Sequence, residues 1–330
     1  MTRDQIMLDL QQQYAARREE NQRIFEQRLA AACEKCEGLK ELLDARRETL
    51  MTGIRRGIVS AQKEEAANAH LPNAFAAYNT KIAAILQKNN MPEDALQPVY
   101  TCSACRDEGF LYEPSRHMCE CFKKELNRRL MAASGLSDAN PQTFENFSLP
   151  LFSDVPISPG SPSQRQSMTY NYTICLEYAN SFPHTATRDL LFVGQSGLGK
   201  TYLLQAITRR VAERGILPLY TSAYRLFETA RKAYFENNPE LMTAFMTAPL
   251  LLIDDLGTEP LMANITITQF FNLFNERQSA GLHTVISTNL DIPELRERYT
   301  ERISSRFLDR SGCKKLVFIG DDIRERLGHS

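Results

Sequence analysis

The residues Gly194-Gln195-Ser196-Gly197-Leu198-Gly199-Lys200-Thr201 follow the spacing G-x-x-x-x-G-K-[ST]. Glycines at those positions let the chain turn so that successive backbone N–H groups face one point, where a phosphate fits. The apolar run Leu190–Val193 precedes the loop. A helical pattern through Leu203, Leu204, Ile207 and Val211 follows it and aims its positive end at the same point. Lys200 is placed to reach the outer phosphates of a nucleotide, and Thr201 to offer its hydroxyl to Mg2+. A second run, Leu250-Leu251-Leu252-Ile253, delivers Asp254 and Asp255 to a strand end. There Asp254 can hold Mg2+ through water and Asp255 can orient an attacking water. Asn289 ends a further run and is placed to hydrogen-bond a γ-phosphate or that water. Arg302 and Arg306 lie four apart, hence on one helix face. An arginine given to a neighbour's γ-phosphate would stabilise transition-state charge.

A different chemistry is written at Cys102-Ser103-Ala104-Cys105 and Cys119-Glu120-Cys121. Two pairs of thiols across a short loop suit a tetrahedral Zn2+. The second pair has only one intervening residue, and His117 stands two residues ahead of it, so the fourth ligand is a sulfur or that imidazole. No open position or general base is evident, so the metal expected is structural. Cys33 and Cys36 form a further C-x-x-C inside an apolar stripe, where buried thiols are the expectation.

These groups need elements to hold them. The chain of 330 residues is long enough for two domains, and its 43% hydrophobic and 24% charged content is ordinary for a globular protein. A net charge of −1 excludes a global positive field, so a nucleic-acid site must be local. No apolar run is long enough to span a membrane, and the N-terminus has no signal-peptide core, which leads us to expect a cytoplasmic protein with no membrane partner. Residues 1 to about 90 are poor in Gly and Pro and read as helix. Phe25, Leu29, Ala32, Cys36, Leu39 and Leu43 recur at steps of four and three and are expected on one stripe, packed against the arm's own hairpin or against a partner. Gly53 and Gly57 are candidate bends, and a further helix is expected from Leu71-Pro72 to Asn89. Lys123, Lys124, Arg128 and Arg129 make a basic face on the helix after the cysteines. Beyond the Pro- and Ser-rich stretch at Ser153–Pro162, the runs Leu190–Val193, Leu217–Thr221, Leu250–Asp254 and Thr284–Thr288 alternate with helical patterns. They predict a parallel sheet, with Lys315–Ile319 as a last apolar run. The aromatic patch Phe144, Phe147 and Phe152 is expected to dock on that sheet domain.

The phosphate loop, the Leu-Leu-Ile-Asp-Asp strand, the Ser287-Thr288-Asn289 strand end and the helix Glu301-Arg302-Ile303-Ser304-Ser305-Arg306-Phe307 come in the order and spacing of AAA+ ATPases. Among these the sequence resembles the DnaC/DnaI helicase loaders and the related IstB transposition helpers. The arginine helix is also similar to that of the DnaA initiators. The cysteine cluster followed by Thr143-Phe144-Glu145-Asn146-Phe147 resembles the DnaI-type loaders in particular.

The resemblance implies an α/β AAA+ P-loop domain over 166–330. A linker at 151–165 joins it to a helical N-terminal domain, 1–150, with a zinc segment at about 100–122. It further implies that Gly194–Thr201 is the Walker A loop, Asp254 the Walker B acid, Asp255 the catalytic acid and Asn289 sensor 1. Arg306 would be an arginine finger acting across a subunit interface with Arg302 assisting, and Arg324 sensor 2. Many AAA+ proteins carry Glu where this chain has Asp255, one methylene shorter, so slow hydrolysis stimulated by a partner or DNA is expected.

The function implied is ATP-dependent helicase loading. The N-terminal domain would bind a hexameric replicative helicase, and the ATPase domain would bind ATP, Mg2+, single-stranded DNA and copies of itself. For DNA, Arg231, Lys232, Tyr234 and Phe235, within Tyr224–Phe235, combine cations with stacking surfaces. The alternatives are a transposase helper of IstB type and a nucleotide-switched adaptor with little turnover.

Overall fold

Successive residues of the strand Asp189–Val193 (β3) pack into opposite cores, as a pleated strand requires. Leu190 and Phe192 join Leu250, Leu252, Val285 and Leu316 on one face, while Leu191 and Val193 join Leu251, Ile253 and Ile286 on the other. A sheet buried on both faces reads as unbroken apolar runs rather than alternation, which is why the sequence shows such runs. The computed structural model describes residues 2–59, 71–92, 94–136, 141–156, 158–260, 266–307 and 312–324. The side chains of 53–59, 71–75, 266 and 300–307 fall outside that description.

The chain divides into two compact units, Met1–Leu8 with Lys123–Ser330, and Asp9–Phe122. In the first, β3 joins β4 (Leu219–Ser222), β5 (Leu250–Leu256), β6 (His283–Thr288) and β7 (Cys313–Val317) in a sheet of order β4-β5-β6-β3-β7. Every pairing is parallel. The four expected strands form, and the last apolar run forms as a fifth, starting two residues earlier than the sequence predicts. The helices Gln164–Ser181 and Lys200–Glu213 pack on one face of the sheet. Ala223–Phe235, Thr266–Ser279 and Ile292–Phe307 pack on the other. Gln164–Ser181 starts on a reciprocal cap, with Ser163 accepting from the Gln166 N–H and the Gln166 side chain accepting from the Ser163 N–H. The aromatic patch lies where expected. Phe144 and Phe152 are buried in the first core, and Phe147 stacks on Phe152 at 5.6 Å.

In the unit Asp9–Phe122, the long helix Arg3–Lys35, of which 9–35 belong here, gives way to Leu39–Val59 through Gly38, whose φ is +79°. The apolar stripe is therefore not one helix. Ala32, Cys36 and Leu39 sit on either side of the turn and meet Ile82 and Leu86 of the helix Leu71–Lys88 in one small core. The helix Leu39–Val59 runs through Gly53 and Gly57, so neither breaks it. A hairpin of Phe110–Leu111 (β1) and His117–Met118 (β2) completes the unit. Among the described residues no helix is long and apolar enough to cross a membrane.

Candidate functional site

The phosphate loop leaves β3 and enters the helix Lys200–Glu213 through Gly199, in the left-handed region at φ +83°. Gly197 is also left-handed, and a Cβ there would overlap the carboxylate of Asp322. Lys200, only 5% exposed, folds back over the loop. Its Nζ donates to the carbonyls of Gly194 and Gln195, both at 2.6 Å, and to Oδ1 of Asn289 at 2.8 Å. Burial pushes its ammonium down to about 8, against the opposing pull of Asp255 and Asp254.

The acidic pair sits at a register shift between β5 and β6, where the ladder breaks between Ile253 and Leu256. Such an irregularity re-aims side chains, and Asp255 there takes φ +55°. Asp254 is buried and fully engaged. Thr201 Oγ1 donates to its Oδ1 at 3.2 Å, Ser287 Oγ donates to the same oxygen, and Tyr220 OH donates to Oδ2 at 2.7 Å. Asp255 donates its N–H to Ser287 Oγ at 2.9 Å. Burial and then the Asp254 charge raise its carboxyl above the ordinary range, while Lys200 and the Asn289 side chain oppose that.

A cleft of about 390 Å³ opens over these groups, lined by Ser196, Thr201, Asp255, Asn289, Ile323 and Arg324 among others. The Arg324 guanidinium donates to Ser196 Oγ at 3.1 Å and pairs with Asp322. The structure thus brings Gly194–Thr201, Asp254, Asp255, Asn289 and Arg324 to one place. Arg302 and Arg306 lie on the helix Ile292–Phe307, and their side chains are outside the described residues. Two members of the site escaped the sequence reading. Ser287 stood beside the singled-out Asn289, near the end of the strand His283–Thr288, but two threonines share that strand and nothing marked its hydroxyl as the one that meets Asp254. Tyr220 carried no signal, because it meets Asp254 only once β4 is known to lie beside β5.

The cysteines gather within the other unit. The four Sγ atoms of Cys102, Cys105, Cys119 and Cys121 all lie within 4.8 Å of one another. Cys102–Cys119 are 3.9 Å apart and Cys105–Cys121 3.5 Å. A tetrahedron with 2.3 Å Zn–S bonds has edges of about 3.8 Å, so the sulfurs fit that ion. His117 is exposed, outside the group, with Nδ1 2.7 Å from the Ser115 carbonyl. Burial pushes the Cys121 thiol up to about 12 and raises Cys105, whereas the Cys105 backbone N–H draws Cys102 down to about 7. Around the sulfurs, the buried Asp107 carboxylate accepts the N–H groups of Thr101 and Cys102 at 2.8 and 2.9 Å and the Asn21 amide at 2.8 Å. The buried Tyr14 hydroxyl donates to Cys121.

Of the surface candidates, Tyr234 and Phe235 are 54% and 61% exposed, while Arg231 pairs with Glu228. On the helix after the cysteines, Arg128 and Arg129 both pair with Glu125, which offsets part of its basic face.

Residues 164–312 match the family described as "Bacterial DnaA ATPAse domain". With its parallel sheet covered by helices on both faces, this segment has an α/β fold of the AAA+ kind and is similar to that ATPase domain family. The matched segment carries the phosphate loop, the acidic strand end, Asn289 and the helix Ile292–Phe307, and nucleotide hydrolysis is the general activity of the family it matches. YqaM of Bacillus subtilis (strain 168), described as an uncharacterized protein, is 27% identical over 218 residues, 64% of this chain and 65% of its own. The chromosomal replication initiator DnaA of Chloroflexus aggregans (strain MD-66 / DSM 9485) is 35% identical over 144 residues, covering 41% of this chain and 28% of its own. The replicative helicase loader DnaI of Bacillus subtilis (strain 168) is 25% identical over 126 residues, 38% of this chain and 40% of its own. The chain spans less than two thirds of the length of each of these relatives. The resemblance to DnaI-type loaders and to DnaA drawn from the motifs is therefore met by similarity in sequence.

Proposed function

We propose that this chain is an ATP-dependent helicase loader of DNA replication. The observation that carries the reading is the convergence of Lys200, Thr201, Asp254, Asp255, Asn289 and Arg324 on one cleft of an AAA+ domain. In that cleft Lys200 exchanges its loop carbonyls for the outer phosphates of ATP. Thr201 and Asp254, already joined by a hydrogen bond, are the residues that would hold Mg2+. When bound there, the ion would neutralise charge on the phosphates. Asp255 and Asn289 orient the attacking water, and Arg324 reaches over the loop to the phosphates. Arg306, with Arg302, completes the site of a neighbouring copy, so ATP favours self-association.

Residues 1–150 form the partner-binding domain, joined at 151–165 to an ATPase domain at 166–330. Cys102, Cys105, Cys119 and Cys121 hold a structural Zn2+ that shapes the surface offered to a hexameric replicative helicase. Single-stranded DNA lies along Tyr224–Phe235, stacking on Tyr234 and Phe235. The protein works in the cytoplasm.

The test uses the full chain. It should co-purify with the replicative helicase of its host in the presence of ATP, and its ATP turnover should rise with single-stranded DNA. Turnover without helicase capture would favour a transposase helper. Helicase capture with no turnover under any of these conditions would favour a nucleotide-switched adaptor.

A further inference from the structure

The acidic strand end continues through Leu256-Gly257-Thr258 to Glu259, and that short turn is tied at both ends. Asp255 donates its N–H to Ser287, and its carbonyl accepts the N–H and the hydroxyl of Thr258 at 3.3 and 2.9 Å. Glu259 is 1% exposed. A buried carboxylate needs partners to offset its lost hydration, and the partners here come from two directions. From its own turn, the Gly257 N–H donates to Oε2 at 2.9 Å. From the helix Ile292–Phe307, the Tyr299 hydroxyl donates to Oε1 and the Arg298 guanidinium donates to the Glu259 carbonyl. Arg298 Nε also stands 3.6 Å from Oε1. Tyr299 itself is wholly buried, its ring 5.7 Å from that of Phe270.

Nothing in the cleft chemistry uses Glu259, and an apolar residue would fill a core position with less desolvation. What the carboxylate adds is a fixed geometry between the turn after Asp255 and one helix. That helix is the one on which Arg302 and Arg306 follow Tyr299 by three and seven residues, the latter about 10 Å further along the axis.

We propose that Glu259 is the positioning residue of the arginine helix: by holding Tyr299 and Arg298 to the turn that follows Asp255, it lets the strand end of one chain's own site aim Arg306 into the neighbour's. The inference rests on the reading that Arg306 acts across a subunit interface. Under it, a change at Glu259 damages the site of the next chain and spares its own.

Mixed-chain kinetics test this. Glu259→Gln should bind ATP within about twofold of wild type and melt as one cooperative unit, yet lose about tenfold or more of its turnover with saturating ATP and single-stranded DNA. Asp254→Asn supplies a chain that cannot hydrolyse but keeps its own Glu259 and Arg306. Mixing it with Glu259→Gln should raise turnover at least fivefold, because the intact arginine helix then serves the intact site. Tyr299→Phe should show the same pattern more weakly, and it replaces Glu259→Gln if that variant does not fold. Arg306→Ala mixed with Asp254→Asn is the control for the underlying reading. If the Arg306→Ala mixture turns over and the Glu259→Gln mixture stays silent, Glu259 acts only on its own site and the proposal is overturned. Full turnover by Arg306→Ala alone removes the in-trans reading and this inference with it.

Discussion

Asp254 and Cys105 are both buried reactive groups, yet the two units hold them by different means. Asp254 hangs from three hydroxyls, Thr201, Ser287 and Tyr220, at the end of a sheet whose two faces are covered by apolar cores. Removing a nucleotide leaves that sheet standing. Cys105 belongs to a segment with a pair of two-residue strands and the first turn of the helix Glu120–Ala133, whose apolar contacts centre on Phe122 against Tyr14 and Phe110 rather than on the small core of Ala32, Cys36, Leu39, Ile82 and Leu86. Under the proposed zinc site, a cation joining its four sulfurs would be the main tie of the segment. The sheet unit is thus organised by its own apolar cores, whereas a metal bound at the four cysteines would organise much of their segment.

The largest expected effect follows from that contrast. Stripping the metal with a strong chelator removes an interaction worth on the order of 10 kcal/mol in small zinc modules. Residues 100–122 should lose their hydrogen-exchange protection, while ATP affinity changes less than about twofold. Metal analysis of the untreated protein should give about one zinc per chain, and Cys105→Ser should abolish that stoichiometry. Protection that survives full metal removal would break the comparison.

The converse perturbation acts on the sheet. Leu252 is wholly buried in the centre of β5, between β4 and β6. Leu252→Ala should cost roughly 2–5 kcal/mol of unfolding free energy, read from denaturant titration, with zinc content unchanged. A loss of zinc in this variant would mean that the two units do not fold independently.

How much of this was legible in sequence depends on how local each signal is. The phosphate loop and Asp254-Asp255 were legible because their residues are neighbours in the chain and the apolar strands lead straight into them. The arm's stripe misled because Cys36 and Leu39 reach the same core from opposite sides of a turn, which periodicity cannot distinguish from one straight helix. The last strand begins at Cys313 rather than Lys315 because it is an edge strand, where Lys314 and Lys315 need not be buried on both faces. Tyr220 and the Glu259–Tyr299 contact were invisible for a common reason. Both are lateral meetings of elements distant in sequence, fixed by strand order and helix placement.

A third, smaller effect concerns pH. Burial pushes the Lys200 ammonium down to about 8. The ordinary value is 10.5, so the unfolded chain binds more protons between about pH 8 and 10.5. Across that window this group's contribution to stability rises with pH. Nucleotide affinity moves the other way, because phosphates favour the ammonium form. ATP affinity should fall by up to about tenfold per pH unit above pH 8, with proton uptake on binding. Calorimetry in buffers of different ionisation enthalpy measures that uptake, and Lys200→Met should show neither the slope nor the proton. A flat wild-type profile between pH 8 and 10 would place the amine's titration elsewhere.

The smallest effect sharpens the account of Asp254. Three hydroxyls hold it, and if Thr201 turned to Mg2+ as proposed, Ser287 on Oδ1 and Tyr220 on Oδ2 would remain. Tyr220→Phe removes a hydrogen bond to a charged acceptor, worth about 1.5 kcal/mol, and frees Oδ2 just when the carboxylate must be still. Turnover at saturating ATP should fall about five- to tenfold, with ATP affinity within about twofold of wild type. The Gln205 amide, which donates to the Tyr220 hydroxyl at 3.4 Å, loses a weak partner at the cleft and contributes little to the loss. Unchanged turnover in Tyr220→Phe would show that Ser287 alone suffices. A fall in affinity with unchanged turnover would show that the hydroxyl serves ground-state binding rather than the orientation of Asp254.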